Sequence, residues 1–190
     1  VLASAKTSFF AGADLKATMR LTPADAPAVF GEIERMKQQF RTLETLGIPV
    51  VACLNGAALG GGWEVALIAH HRIALDNPKI QFGLPEVTLG LMPGATGITK
   101  MTRLLGLMGT QPYLLEGKLF NPQDAVKLGL VHASVATAEE LLPAALAERL
   151  REDADRAYDE AIAAIVAASA DGTLLRGEVL ARWQEFVGTG

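Results

Sequence analysis

The stretch Asn55-Gly56-Ala57-Ala58-Leu59-Gly60-Gly61-Gly62-Trp63-Glu64 decides how this chain folds. Ahead of it runs Ile48-Pro49-Val50-Val51-Ala52-Cys53-Leu54, an uncharged segment of the kind that forms a strand covered on both faces. Asn55-Gly56 then turns the chain, and the three glycines lead into a short apolar helix over about 63–69. His71-Arg72-Ile73-Ala74-Leu75 is the next strand, ended by Asp76-Asn77-Pro78. Strand, turn, helix and strand in this order predict an α/β fold.

The flanking segments extend the same pattern. Residues 1–5 read as a buried strand and residues 6–16 as a loop carrying Gly12. Thr22 is a candidate N-cap with Pro23 at the first helical position. Val29, Phe30, Ile33, Met36, Phe40, Leu43 and Leu46 follow at helical spacing, which predicts an amphipathic helix over about 23–46, stopped by Gly47. Downstream the reading gives a strand at 79–83, a Gly/Pro loop at 90–97, and helices over about 98–106 and 109–116. A helix capped by Asn121-Pro122 then ends at Gly129, before a last strand at 130–135. Thr137 and Glu140 have the capping-box spacing. They open an Ala-rich helical region that Asp171-Gly172 breaks, ahead of a final amphipathic helix containing Trp183. The expected organisation is a core over 1–136 and a helical region over 137–190, with no internal sequence repeat. The mixed charges of 148–160 read as a solvated helix face, an interaction surface being the alternative.

The chain has 190 residues, half of them hydrophobic, and a net charge of −4. That size supports a substantial core, and that charge argues against a general nucleic-acid binder. No apolar run reaches the roughly 18 residues of a membrane span, and no signal peptide is expected. The single cysteine, Cys53, excludes an internal disulfide and reads as a buried inert thiol. Its solitude fits a reducing compartment, so a cytoplasmic location is expected. Val1 opens directly on a strand, so the chain reads as starting inside a fold. His70, His71 and His132 lack metal-ligand spacing, and no metal site is expected. The phosphate loop, the Rossmann glycine fingerprint and the nucleophile elbow are all missing.

Three segments carry chemistry. In Phe9-Phe10-Ala11-Gly12-Ala13-Asp14-Leu15, glycine between alanines lets a backbone N–H face open space, although read alone the segment is merely a strand-to-loop turn. Gly60-Gly61-Gly62 before a helix exposes unpaired N–H groups that can hold an oxyanion, or it is merely a turn. Glu64 lies one turn into that apolar helix, either as an exposed, dipole-favoured glutamate or as a buried acid/base with a raised pKa. Glu86, in Gln81-Phe82-Gly83-Leu84-Pro85-Glu86-Val87, is a second carboxylate in an apolar setting. Two such glutamates with two N–H donors form a site for enolate chemistry.

Four stretches, Phe9–Lys16, Asn55–Glu64, Phe82–Gly94 and Gly117–Val131, in this order and spacing resemble the crotonase (enoyl-CoA hydratase/isomerase) superfamily over residues 1–136. In detail they are most similar to the hydratase part of bacterial multifunctional fatty-oxidation enzymes. The resemblance implies a spiral of ββα repeats, here without the first repeat, followed by a C-terminal helical region. The remaining strands would then expose an apolar face and an unpaired edge. It implies an enoyl-CoA hydratase that adds water to a trans-2-enoyl-CoA, with an enoyl-CoA isomerase or a catalytically silent binding module as alternatives. Ala13 and Gly61 would supply the oxyanion-hole N–H groups, and Glu64 and Glu86 would hold the water and exchange protons. Coenzyme A would lie along Ala11, Gly12, Ala13, Asp14, Leu15 and Lys16, with Gly60, Gly61, Pro85 and Gly94 completing the pocket. The resemblance further implies no cofactor beyond the coenzyme A of the substrate. It also implies a homotrimer or hexamer, or membership of a larger multifunctional enzyme. Thr96 stands where many relatives have glycine, and the chain beyond about 140 does not align with the family.

Overall fold

The computed structural model describes residues 1–168. The expected break at Asp171-Gly172 and the final helix lie outside the described residues. Internal contacts divide the chain into Val1–Arg149 and Leu150–Gly190, and the elements that position the site belong to the first of these.

Two parallel sheets organise that unit. One has the order β1-β3-β5, with β1 at Val51–Leu54, β3 at His71–Leu75 and β5 at Ala133–Val135. The other pairs β2 (Ala58–Leu59) with β4 (Phe82–Gly83). The expected first strand shrinks to one bridge, where Leu2 donates to Val51 O (2.8 Å) and accepts from Cys53 N (2.8 Å). Phe10 bridges Ala58 in the same parallel sense at the edge of the second sheet.

The chain therefore visits both sheets three times and leaves each time through a helix. Leu2 and Phe10 lead to α1 (Leu15–Thr18) and α2 (Ala26–Glu44). Strands β1 and β2 lead to α3 (Gly61–Ile68), and β3 and β4 lead to α4 (Gly97–Leu115). This is a spiral of ββα units that the sequence, with no repeated residues, does not display. Among the described residues no strand pairs beyond Leu2 or Phe10, and Phe10, Phe30, Leu46 and Ile48 stand exposed.

Local sequence accounts for the element ends. Thr22 and Asp25 form a capping box around a 3-10 turn at Pro23–Asp25, so α2 itself starts later than the expected 23. The two helices expected over 98–116 are one segment broken at Gly106, whose φ of 74° is left-handed. Asn121 Oδ1 accepts from Asp124 N (2.8 Å) to cap α5 (Pro122–Lys127). Asn55-Gly56 does more than turn. Asn55 Nδ2 donates to Lys6 O (2.6 Å), and a Cβ on Gly56 would lie 2.1 Å from Thr7 O, so the opening segment is laced across this dipeptide.

The core centres on Trp63, which is fully buried, stacked on Phe82 at 5.3 Å and edge-on to Phe120 at 5.2 Å. On the other face of the first sheet, Val51, Cys53 and Ile73 pack under Leu141 and Ala145 of α6 (Ala138–Ala168). Cys53 is buried there as expected, and desolvation raises its thiol pKa. No described helix is long and apolar enough to cross a membrane. Truncating Trp63 removes the centre of the main cluster, so Trp63→Ala should cost about 3–5 kcal/mol in urea unfolding. A cost below about 1 kcal/mol would contradict this packing.

Candidate active site

The start of α3 is built by glycines with different tasks. Gly60, with φ of 55°, donates its N–H to Gly83 O (2.9 Å), and its carbonyl accepts from Trp63 N and Glu64 N. Gly62 admits the opening segment, because a Cβ there would sit 1.8 Å from Phe10 O. Gly61 is required by neither packing nor backbone: an added Cβ would meet nothing within 4 Å, and its φ is not positive. The helix therefore begins inside the glycine triplet, two residues before the expected 63.

Gly12 brings the first loop to this helix start. Its φ is 87°, and a Cβ on it would lie 2.8 Å from Leu59 O and 3.6 Å from Gly61 N. Ala13 follows directly. Neither the Ala13 N–H nor the Gly61 N–H makes a hydrogen bond among the described residues. Asp14 Oδ1 caps α1 by accepting from Lys16 N (2.9 Å) and Ala17 N (3.2 Å). Ala11, Ala13, Asp14, Leu15 and Lys16 are exposed, so this loop presents its surface to solvent.

Glu64 resolves in favour of burial, at 2% exposure. Its Oε1 accepts from three successive N–H groups at the start of α4: Ala95 (3.0 Å), Thr96 (2.9 Å) and Gly97 (2.7 Å). A buried carboxylate needs such donors. Here it also caps α4, at a position where the N-cap Thr96 makes no side-chain cap of its own. Gly97 is part of this device, since a Cβ on it would lie 3.0 Å from Oε1 and 2.9 Å from Leu84 Cδ1. Sequence reasoning missed Ala95–Gly97; the signal available was Pro93-Gly94 with a second glycine three residues on, just before a helix.

Glu86 sits on the 3-10 turn Pro85–Leu89, which Gly90 ends with a φ of 70°. Its Oε1 lies 3.0 Å from where a Cβ of Gly60 would be, so the carboxyl covers the turn that opens α3. Oε2 is buried with no hydrogen-bond partner, as is Thr96 Oγ1. Desolvation, chiefly, pushes the Glu86 pKa up; repulsion from Glu64 adds to it and a backbone N–H opposes it. The site thus joins Gly60, Gly61, Glu64 and Glu86, with Gly12 and Ala13 against one side and Pro85 under Glu86. Gly94 is exposed, two residues before the α4 N-cap, and its nearest approach is to Ile33 Cδ1.

The chain matches the enoyl-CoA hydratase/isomerase family model over residues 1–180. It is 41% identical over 136 residues to a fatty acid oxidation complex subunit alpha of Shewanella oneidensis, covering 70% of this chain and 18% of the relative. Against the same-named protein of Shewanella halifaxensis it is 43% identical over 134 residues, 68% of this chain and 18% of the relative. The chain thus spans about a fifth of the length of these relatives. Among solved structures it resembles the enoyl-CoA hydratase of Bacillus anthracis, with a TM-score of 0.69 and 31% identity over 78% of this chain and 55% of that one. The chain belongs to the enoyl-CoA hydratase/isomerase family and has its crotonase fold.

The glycines give a first test. Gly61→Ala should leave stability unchanged or raise it by about 0.5–1 kcal/mol, as alanine favours helix. Gly62→Ala should unfold the region, because backbone lies where the Cβ would go. Equal melting temperatures for the two variants would contradict this. Glu86 gives a second. The folded state holds its proton more tightly than the unfolded chain, so stability attached to Glu86 is present at low pH and is lost as pH rises through the raised value. Glu86→Gln should therefore gain melting temperature relative to the parent as pH rises above the ordinary glutamate value of 4.5. A pH-independent difference would count against a desolvated Glu86.

Proposed function

We propose that the chain is an enoyl-CoA hydratase that adds water across the 2,3-double bond of a trans-2-enoyl-CoA to give the 3-hydroxyacyl-CoA. The observation that carries this reading is the pairing of two sequestered glutamates of unlike environment beside an unblocked helix start. Glu64 has one oxygen locked and one for exchange, whereas Glu86 is desolvated and has an unpartnered oxygen. Desolvation favours the protonated form of Glu86 and so suits it to give up a proton.

In this reading the thioester oxygen accepts from the free N–H groups of Ala13 and Gly61, and the dipole of α3 supports the charge that grows there. Glu64 Oε2 takes a proton from water while the water oxygen bonds to the β-carbon. The double-bond electrons pass towards the thioester, and Glu86 delivers a proton to the α-carbon. The product gains one hydroxyl and one hydrogen, and a proton passed from Glu64 back to Glu86 restores the site. Coenzyme A enters as part of the substrate along Ala11–Lys16, with Gly94 at the pocket edge, and no other cofactor takes part. The relatives' printed names support a place in a fatty acid oxidation complex. We extend the reading to β-oxidation in the cytoplasm, by a homotrimer or hexamer or within a larger multifunctional enzyme.

The test is loss of the enoyl-thioester absorbance of crotonyl-CoA. Glu64→Gln and Glu86→Gln should each lower kcat by about 10²-fold or more. Gly61→Ala should fold and yet turn over more slowly, since its methyl occupies space the thioester needs. Double-bond migration in a 3-enoyl-CoA without hydration would make the chain an isomerase. Binding of the CoA ester without turnover would make it a silent binding module.

A further inference from the structure

Arg72 is a buried cation that the site above does not use. It is 4% exposed. Its Nε donates to Leu130 O (2.6 Å) and its Nη1 to Ala69 O (2.7 Å), and among the described residues no carboxylate pairs with it. Burial depresses its pKa to about 10. An uncompensated buried charge is costly, and a bound counter-ion is one way to relieve it.

Arg72 lines a cavity of about 440 Å³ in the first unit, bounded by the ends of α2 and α3 and the first turns of α4. Arg41, Lys100 and Arg103 line it too, against the single carboxylate of Glu44. That carboxylate is already spent on Lys100 and on Arg41. Two helix-end carbonyls that would repel an anion are likewise occupied. Arg72 takes Ala69 O, and His70 Nε2 takes Glu44 O (3.2 Å), because Nδ1 accepts from Val50 N. Arg103 has no partner among the described residues. Four permanent cations thus converge on one cavity in a chain whose net charge is −4. Leu67, Ile68 and Leu104 supply an apolar wall.

We propose that this cavity is a second ligand site, for a small phosphate monoester, separate from the carboxylate pair. The two sites lie at opposite ends of α3, about 10 Å apart along its axis. Phosphate suits the cavity because guanidinium groups from α2 and α4 can meet a dianion with directed hydrogen bonds. The volume exceeds that of a bare ion and falls in the range of small-molecule sites, so the apolar wall takes the organic part of the ester.

Phenyl phosphate is the probe, titrated calorimetrically into the full chain with coenzyme A present at saturation. The parent chain should bind it, and Arg41→Ala/Arg103→Ala should weaken binding at least tenfold. Both side chains are exposed, so this variant should melt like the parent and hydrate crotonyl-CoA at the parent rate. Arg72→Met tests the buried cation and should also weaken binding; if it fails to fold, the double variant decides. No binding by the parent chain, equal binding by the double variant, or displacement of the probe by coenzyme A would each overturn the proposal.

Discussion

Three hydrogen bonds to one oxygen, from the N–H groups of Ala95, Thr96 and Gly97 to Glu64, hold the candidate site in shape. Burying a carboxylate is unfavourable by itself, and the cost is offset only because the first turn of α4 offers unspent donors at the positive end of its dipole. The bond set works in both directions. It satisfies Glu64, and it gives α4 the cap that Thr96 does not provide. Gly97 and Leu84 then follow as constraints: at 97 a side chain has no room between the carboxylate and Leu84.

The architecture explains why these donors are in reach. In each unit of the spiral a strand in one sheet, a strand in the other and a helix follow in turn. Parallel pairing of β2 with β4, and of Phe10 with Ala58, carries successive helix starts to the same side. The start of α4 meets Glu64 near the start of α3, and the Gly12 loop meets Gly61 from the preceding unit. Glu86 arrives on the turn after β4, over Gly60. The contributors come from three successive units of the spiral, so no local segment contains the site. The other end of α3 collects cations instead, where the carbonyl ends of two helices call for donors.

Much of this was legible in the residues. The uncharged run before Asn55 marked a covered strand, and Asn121, Thr22 and Gly106 marked helix ends at or within a few residues of their places. The strands at 1–5 and 79–83 were over-read: Leu2, Ile80 and Phe82 reach the core, but Val1, Ala3 and Ala5 are exposed and only Leu2, Phe82 and Gly83 pair. The structural repeat was invisible, since its units share backbone geometry and not side chains. Glu64 could not be assigned to solvent or core from its own neighbours, because the donors that make its burial tolerable lie some thirty residues downstream. Gly60, Gly61 and Gly62 looked equivalent in sequence. Only the surroundings show that Gly62 is steric, Gly60 conformational, and Gly61 free of any structural demand.

The measurement that bears most directly on this account is amide hydrogen exchange at Ala95, Thr96 and Gly97. The three amides should be protected in the parent chain and in Glu64→Gln, whose carbonyl oxygen can still accept. They should exchange rapidly in Glu64→Ala, which removes the acceptor. Equal exchange in the parent and Glu64→Ala would show that Glu64 does not organise the start of α4, and would contradict the account.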